Sequence, residues 1–254
     1  MSCDNAQQIH TLNAPIVPPV CFNFDDLPVD GIPEDWTSQS AATAVSNSTA
    51  HSGANALCVA NRIVTTAIDI DSLQQMSLGL WVYAEHPSDR LLVGTMTDPA
   101  DPTSFTRMLT IVPSQTGVWE HRIVSFRSAP RNAHFIALRH ANATTPTLQP
   151  TLFVDDLSFN TCAAFDMCVV KAESDSVILT WELVGTPNVT ISVTRDDNTP
   201  VGTYTPSQPP LVIAPLSPHH GYQIVFNSSC TSGTTPCDIA ILDTATIVTP
   251  KPGT

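Results

Sequence analysis

The chain has 254 residues, of which 42% are hydrophobic and only 13% charged, with 22 prolines. Against 23 acidic residues stand 10 basic ones, and the net charge of −13 argues against nucleic acid and anionic membrane surfaces as partners. No apolar run approaches the roughly 18 residues of a transmembrane helix, so membrane insertion is not expected. The low charge and many turn formers point instead to an extracellular β-protein with room for one large core or two ordinary ones.

Residues 1–20 are polar and then proline-spaced (NAPIVPPV), which reads as a linker. From residue 21 to 161, short apolar runs with a period of two recur between turn signals: MSLGLWVYA (76–84), RLLVGTM (90–96), RMLTIV (107–112), VWEHRIVSF (118–126), HFIALRHA (134–141) and TLFVDDLSF (151–159). They predict strands, and without βαβ spacing the strands predict an antiparallel all-β sandwich. A second set occupies 165–250: CVVKA, SVILTWEL, VTISVTRD, PLVIAPL, GYQIVFNSS and DTATIVTP. Its spacing is close to that of a seven-stranded immunoglobulin-like sandwich of about 100 residues. In VILTWEL, Val177, Leu179, Trp181 and Leu183 fall on one face, which makes Trp181 a core residue.

Two adjacent carboxylates in the strand FVDDLSF stand out. FDD (24–26) lies on the first predicted strand and VDD (154–156) on the last. If those strands are neighbours, four acids approach one another and require a cation or hydrogen-bond donors. Strict alternation puts Asp155 with Phe153, Leu157 and Phe159, and Asp156 on the other face with Val154 and Ser158. Calcium suits such oxygen donors, with Asp26 and Asp155 as first candidates and Asp25 and Asp156 in reserve. The alternative is that these acids accept backbone N–H groups where strands end.

Sugar binding needs aromatic platforms. Trp81 and Trp119 sit inside strand patterns and read as core, and Trp36 follows a loop and is the candidate at a sandwich edge. Asp98 and Asp101 in TMTDPADPTSF are further candidates for ligand contact, or an ordinary acidic turn. Among seven cysteines, Cys230 and Cys237 bracket a turn and Cys162 and Cys168 bracket the domain junction, so each pair is a disulfide candidate, with Cys3 as the odd one. There is no G-x-S-x-G, no H-E-x-x-H, no phosphate-binding glycine loop and no C-x-x-C, so no enzyme is expected.

In LSPHHGYQIVF, Leu216, Pro218 and Tyr222 follow the L-x-P-x-x-x-Y pattern of a tyrosine corner. The second half therefore resembles a fibronectin type III domain, with His220 where that family often has Thr. The segments CFNFDDLPVDGIPEDW, LGLWVYA, GVWEHRIVSF, HFIALRHA and LFVDDLSF together look like the MAM-like jelly rolls and cleaved adhesin domains of Bacteroidetes surface proteins. This resemblance implies a jelly-roll β-sandwich with structural calcium near its ends. It implies a non-catalytic, secreted or cell-surface adhesion module that binds a host glycan or extracellular matrix protein beside further domains of one precursor. The alternative is a structural spacer or an accessory domain of a secreted hydrolase. Because MSCDNAQQ carries no export signal, the chain reads as a piece of that precursor.

Overall fold

The computed structural model describes residues 16–40, 42–60, 62–142, 152–230 and 241–252, and the chain divides into two compact units, residues 1–161 and 162–254. Apart from two single-turn 3-10 helices (Leu73–Gln75 and Pro102–Ser104), every regular element described is a β-strand. No described helix is long and apolar enough to cross a membrane.

The first unit holds β1 (Val20–Phe22), β2 (Trp36–Ser38), β3 (Ala44–Ser46), β4 (Ala56–Cys58), β5 (Val64–Ala67), β6 (Ser77–Ala84), β7 (Asp89–Met96), β8 (Thr106–Ile111), β9 (Glu120–Ser125), β10 (Phe135–Asn142) and β11 (Leu152–Asn160). One sheet runs β3-β4-β11-β6-β9, with β1 also on β11, and the other runs β2-β5-β10-β7-β8. Their inner faces share a core that includes Leu57, Leu78, Leu80, Val82, Leu91, Val93, Val154, Leu157 and Phe159. Each of the six predicted runs forms a strand. The strands β2 to β5 escape prediction because three or four residues are too few to establish an alternation.

The linker reading fails from Ile16 onward. Ile16 is buried and bridges Ile68, with its N–H donating to Ala67 O at 2.9 Å and its carbonyl accepting from Asp69 N at 2.6 Å. A lone apolar residue among prolines carries no periodic signal, yet it closes one side of the core. Residues 1–15, including Cys3, lie outside the described residues. Trp36 is also core: it is 1% exposed and packs edge-on against Phe22 (5.5 Å) and Phe24 (6.0 Å), so it offers no platform to a ligand.

The second unit contains β12 (Ala163–Ala172), β13 (Val177–Val184), β14 (Asn188–Arg195), β15 (Pro200–Tyr204), β16 (Leu211–Ile213), β17 (Gly221–Ser229) and β18 (Ile241–Val248). They form sheets β12-β13-β16 and β15-β14-β17-β18 around Val177, Leu179, Trp181, Ile191, Tyr222, Ile224 and Phe226. The Tyr222 hydroxyl donates to Ser217 O at 3.1 Å and accepts from Ser217 N at 2.8 Å, which is the tyrosine-corner geometry.

The disulfide expectation is corrected here. Cys162 bonds Cys230, with Cα atoms 6.1 Å apart, and Cys168 is a free, exposed thiol. Cys162 immediately precedes β12 and Cys168 lies within it. Six residues of extended chain separate their Cα atoms by roughly 20 Å, far beyond disulfide reach. Ala164 N donates to Ser228 Oγ at 3.2 Å, which brings the start of β12 beside the end of β17 and so brings Cys162 to Cys230. Cys237 lies outside the described residues, and Cys21 and Cys58 are also disulfide-bonded.

The Cys162–Cys230 bond closes a loop with a sequence separation of 68. Replacing both by Ser is expected to lower the second unit's stability in denaturant titration by about 2–4 kcal/mol, while Cys168→Ser leaves it unchanged within about 0.5 kcal/mol.

Candidate functional site

The first and last strands of the first unit are neighbours: β1 pairs antiparallel with β11, Phe22 opposite Leu157 and Val20 opposite Phe159. Along one side β11 keeps β6 as its partner, and on the other side it changes partner. β4 pairs with it at Phe153 and Val154, β1 from Leu157 onward, and the β6 ladder slips between Asp155 and Ser158. Asp156 adopts φ 45° in this bulge, so one extra residue reverses the alternation. Asp155 shares the outer face with Phe153, as strict period two requires. Leu157 and Phe159 instead turn inward with Val154, contrary to the expectation that they accompany Asp155.

At this changeover a loop, residues 47–55, folds over the outer face, and its N–H groups have no strand to pair with. The acids supply the acceptors. Asp155, fully buried, takes His51 N at 2.8 Å and Ser52 N at 3.3 Å on Oδ2, and Asp156 N at 2.8 Å on Oδ1. Asp25 Oδ1 accepts from Ala54 N at 2.6 Å and Asn55 N at 3.1 Å, and Asn55 Nδ2 donates to the carbonyls of Asp25 and Leu27. Gly53 has φ +59°, and a Cβ there would lie 1.9 Å from Asp25 Oδ2, so only glycine lets the loop close on this carboxylate. Asp156 is half-exposed and bonds His51 Nδ1 at 2.6 Å and Ser52 Oγ at 2.8 Å.

This donor set does not fit the calcium ion expected at Asp25, Asp26, Asp155 and Asp156. Asp26 is exposed, and the carboxylates of Asp25, Asp155 and Asp156 are aimed at N–H, imidazole and hydroxyl groups. No three His, Cys, Asp or Glu side chains converge as a metal-holding group among the described residues. Asp98 and Asp101 likewise serve their own turn. Asp98 Oδ1 accepts from Ala100 N at 2.8 Å, and Asp101 caps the Pro102–Ser104 helix, its carboxyl held below the ordinary range by hydrogen bonds from Thr103.

Beside the acids lies an aromatic cluster. His51 stacks on Trp81, with centroids 3.6 Å apart and planes 14° apart, and meets Trp119 edge-on at 5.9 Å. Trp81 lies 5.3 Å from His121, and Tyr83 lies 5.3 Å from Trp119 and 6.1 Å from Phe153. Burial, reinforced by the charges of His51 and Arg122, holds the His121 imidazole below its ordinary pKa. Trp81 and Trp119 are therefore half-buried on the outer face and not core residues. The alternation in LGLWVYA carried the signal, since Leu78, Leu80 and Val82 inward require Trp81 and Tyr83 outward. His51, Ser52 and Asn55 had no such signal, because a polar loop without periodicity does not announce its target.

No family model and no curated protein matches the chain. Among solved structures, the K1 cleaved adhesin domain of Lys-gingipain from Porphyromonas gingivalis W83 aligns at 16% identity over 56% of this chain and 96% of that one, with a TM-score of 0.42. The K3 cleaved adhesin domain of the same protein aligns at 17% identity over 56% of this chain and 97% of that one, with a TM-score of 0.40. The glycoside hydrolase domain of Endo-D from Streptococcus pneumoniae R6 aligns at 12% identity over 84% of this chain and 37% of that one, with a TM-score of 0.32. The fold assignment rests on the strand pairing itself.

Burial, opposed by three backbone N–H bonds and reinforced by the neighbouring Asp156 charge, pushes the Asp155 carboxyl up to about 6. A raised acid favours the protonated folded state, so its contribution is present below about pH 4 and is lost as pH rises through about 6. In denaturant titrations, the stability difference between the wild type and Asp155→Asn is expected to shrink between pH 4 and pH 7. The change is bounded by about 3 kcal/mol, and a pH-independent difference contradicts this reading.

Proposed function

We propose that the chain is a non-catalytic extracellular binding module of a larger secreted protein, a MAM-like, cleaved-adhesin type jelly roll followed by a fibronectin type III-like domain, acting in adhesion to a glycan or matrix protein. The observation that carries this reading is the aromatic cluster on the outer face of a sheet whose other face already fills the core. The loop 47–55 covers part of it, and Trp81, Tyr83 and Trp119 stay half-buried, which leaves aromatic surface at the outer face. Three further features support the reading. Disulfide-bonded Cys21, Cys58, Cys162 and Cys230 suit an oxidising compartment. The three-plus-four sheets and the Tyr222 corner of the second unit match the fibronectin type III pattern. The acids Asp25 and Asp155 are engaged by backbone N–H groups, which leaves them unsuited to acid–base chemistry across a cleft.

Immobilised mucin, fibronectin and collagen are suitable probes. Saturable retention of the full chain on at least one, measured by interferometry, is the expected outcome, and retention on none favours a spacer. The acid-to-backbone closure is expected to stand without an ion. Thermal midpoints in excess calcium and in chelator are expected to coincide, because a ligand stabilises only where it binds the folded state. A calcium-dependent rise that Asp155→Ala abolishes would restore the metal.

A further inference from the structure

Outer faces of antiparallel sheets are ordinarily polar. Here the register of β11, β6 and β9 lays aromatic rows across that face. Phe153 is opposite Tyr83, and Trp81 is opposite Asp155 on one side and His121 on the other. Trp119, one residue before β9, extends the first row beyond Tyr83.

The loop uses only part of these rows. Phe153 is buried beneath it, and the His51 ring lies parallel over Trp81. Among the described residues no ring lies parallel over Trp119: it packs against the Phe153 cluster, and His51 meets it at 69° and Tyr83 at 44°. The polar tips point the same way. Among the described residues no hydrogen bond holds the Trp81 and Trp119 indole N–H groups or the Tyr83 hydroxyl, and all three side chains are half-buried, in contrast to the enclosed Nε1 of Trp36 and Trp181. A half-buried ring with an unused donor at its rim matches a sugar ring, whose C–H face stacks on an aromatic and whose hydroxyls seek hydrogen bonds. Asp156, partly exposed and tied to His51 and Ser52, puts a fixed negative charge at the border of the patch.

We propose that the outer-face patch formed by Trp119 and Tyr83, bordered by the edge of Trp81 and by Asp156, is a binding site for a neutral oligosaccharide. The net charge of −13 and the adjacent carboxylate disfavour sulfated or sialylated chains. This rests on the binding-module reading and names its site and ligand class.

The test titrates the full chain with cellotetraose, triacetylchitotriose and lactose, following intrinsic tryptophan fluorescence, for the wild type, Trp119→Ala and Tyr83→Phe. Saturable binding of at least one sugar is expected. Trp119→Ala should weaken it at least about tenfold, and Tyr83→Phe, which keeps the ring and removes only the hydroxyl, by about threefold to tenfold. Binding of none of the three up to millimolar concentration overturns the saccharide assignment, and binding that both variants retain at full strength overturns the location. If none of the sugars binds while fibronectin or collagen still retains the wild type, the saccharide site falls and the binding-module reading survives. If mucin, fibronectin and collagen also fail to retain the chain, both fall together.

Discussion

The capture of an unpaired loop by two carboxylates, Asp155 buried and Asp25 partly exposed, organises the first unit. Where β11 exchanges β4 for β1, the chain entering β4 has N–H groups with no ladder to join, and leaving such donors unmet in a partly buried place costs about 1–3 kcal/mol each. Asp155 and Asp25, from opposite ends of the unit, take four of them: those of His51, Ser52, Ala54 and Asn55. The bulge at Asp156 and the glycine at 53 follow from the same demand. The bulge turns Asp155 outward while returning Leu157 and Phe159 to the core, and Gly53 lets the loop approach Asp25 without a side chain in the way.

The cost of this arrangement sits on Asp155. Its carboxylate is fully buried and stands beside Asp156, and three N–H bonds offset only part of the desolvation, so its proton affinity rises. A metal ion would relieve that charge in another way, but the oxygens that would face it are already aimed at donors. His51 shows how closely the polar and apolar halves are joined. Its backbone N–H is held by Asp155, its Nδ1 by Asp156, and its ring lies on Trp81, so one residue fixes loop, bulge and aromatic surface together.

What could be read from the residues follows the range of the forces involved. Strand positions from β6 to β11 were legible because period two is a local property, and so was Tyr222, whose corner closes within five residues. The two acids were legible as an anomaly in an apolar strand. Their partners were not, because His51 and Ser52 lie 104 and 103 positions from Asp155, and nothing in AHSGAN marks which surface it will cover. The bulge was equally hidden: alternation is assumed until a ladder slips, and the slip here depends on a change of neighbour on the far side of β11. The same limit explains Cys162, whose partner is set by where β17 ends and not by the nearest cysteine in the chain.

The outer face joins the packing of the loop to the proposed binding surface. A loop pinned by hydrogen bonds needs a modest apolar footing, and Ala56, Cys58 and Phe153, with Ala50, Tyr83 and Trp119 packed against them, provide it. Stacking of His51 on Trp81 adds rigidity. Trp119 packs on that footing and meets His51 edge-on, yet it stays half-buried, so part of a large amphipathic side chain remains at the surface of the outer face. In the site proposed above, the loop is a fixed wall that holds His51 and Asp156, while β6 holds Tyr83 and Trp119 stands one residue before β9. A surface preorganised on strands in this way meets a ligand without paying to order it, which is the condition under which a small aromatic patch can bind a polyol in water.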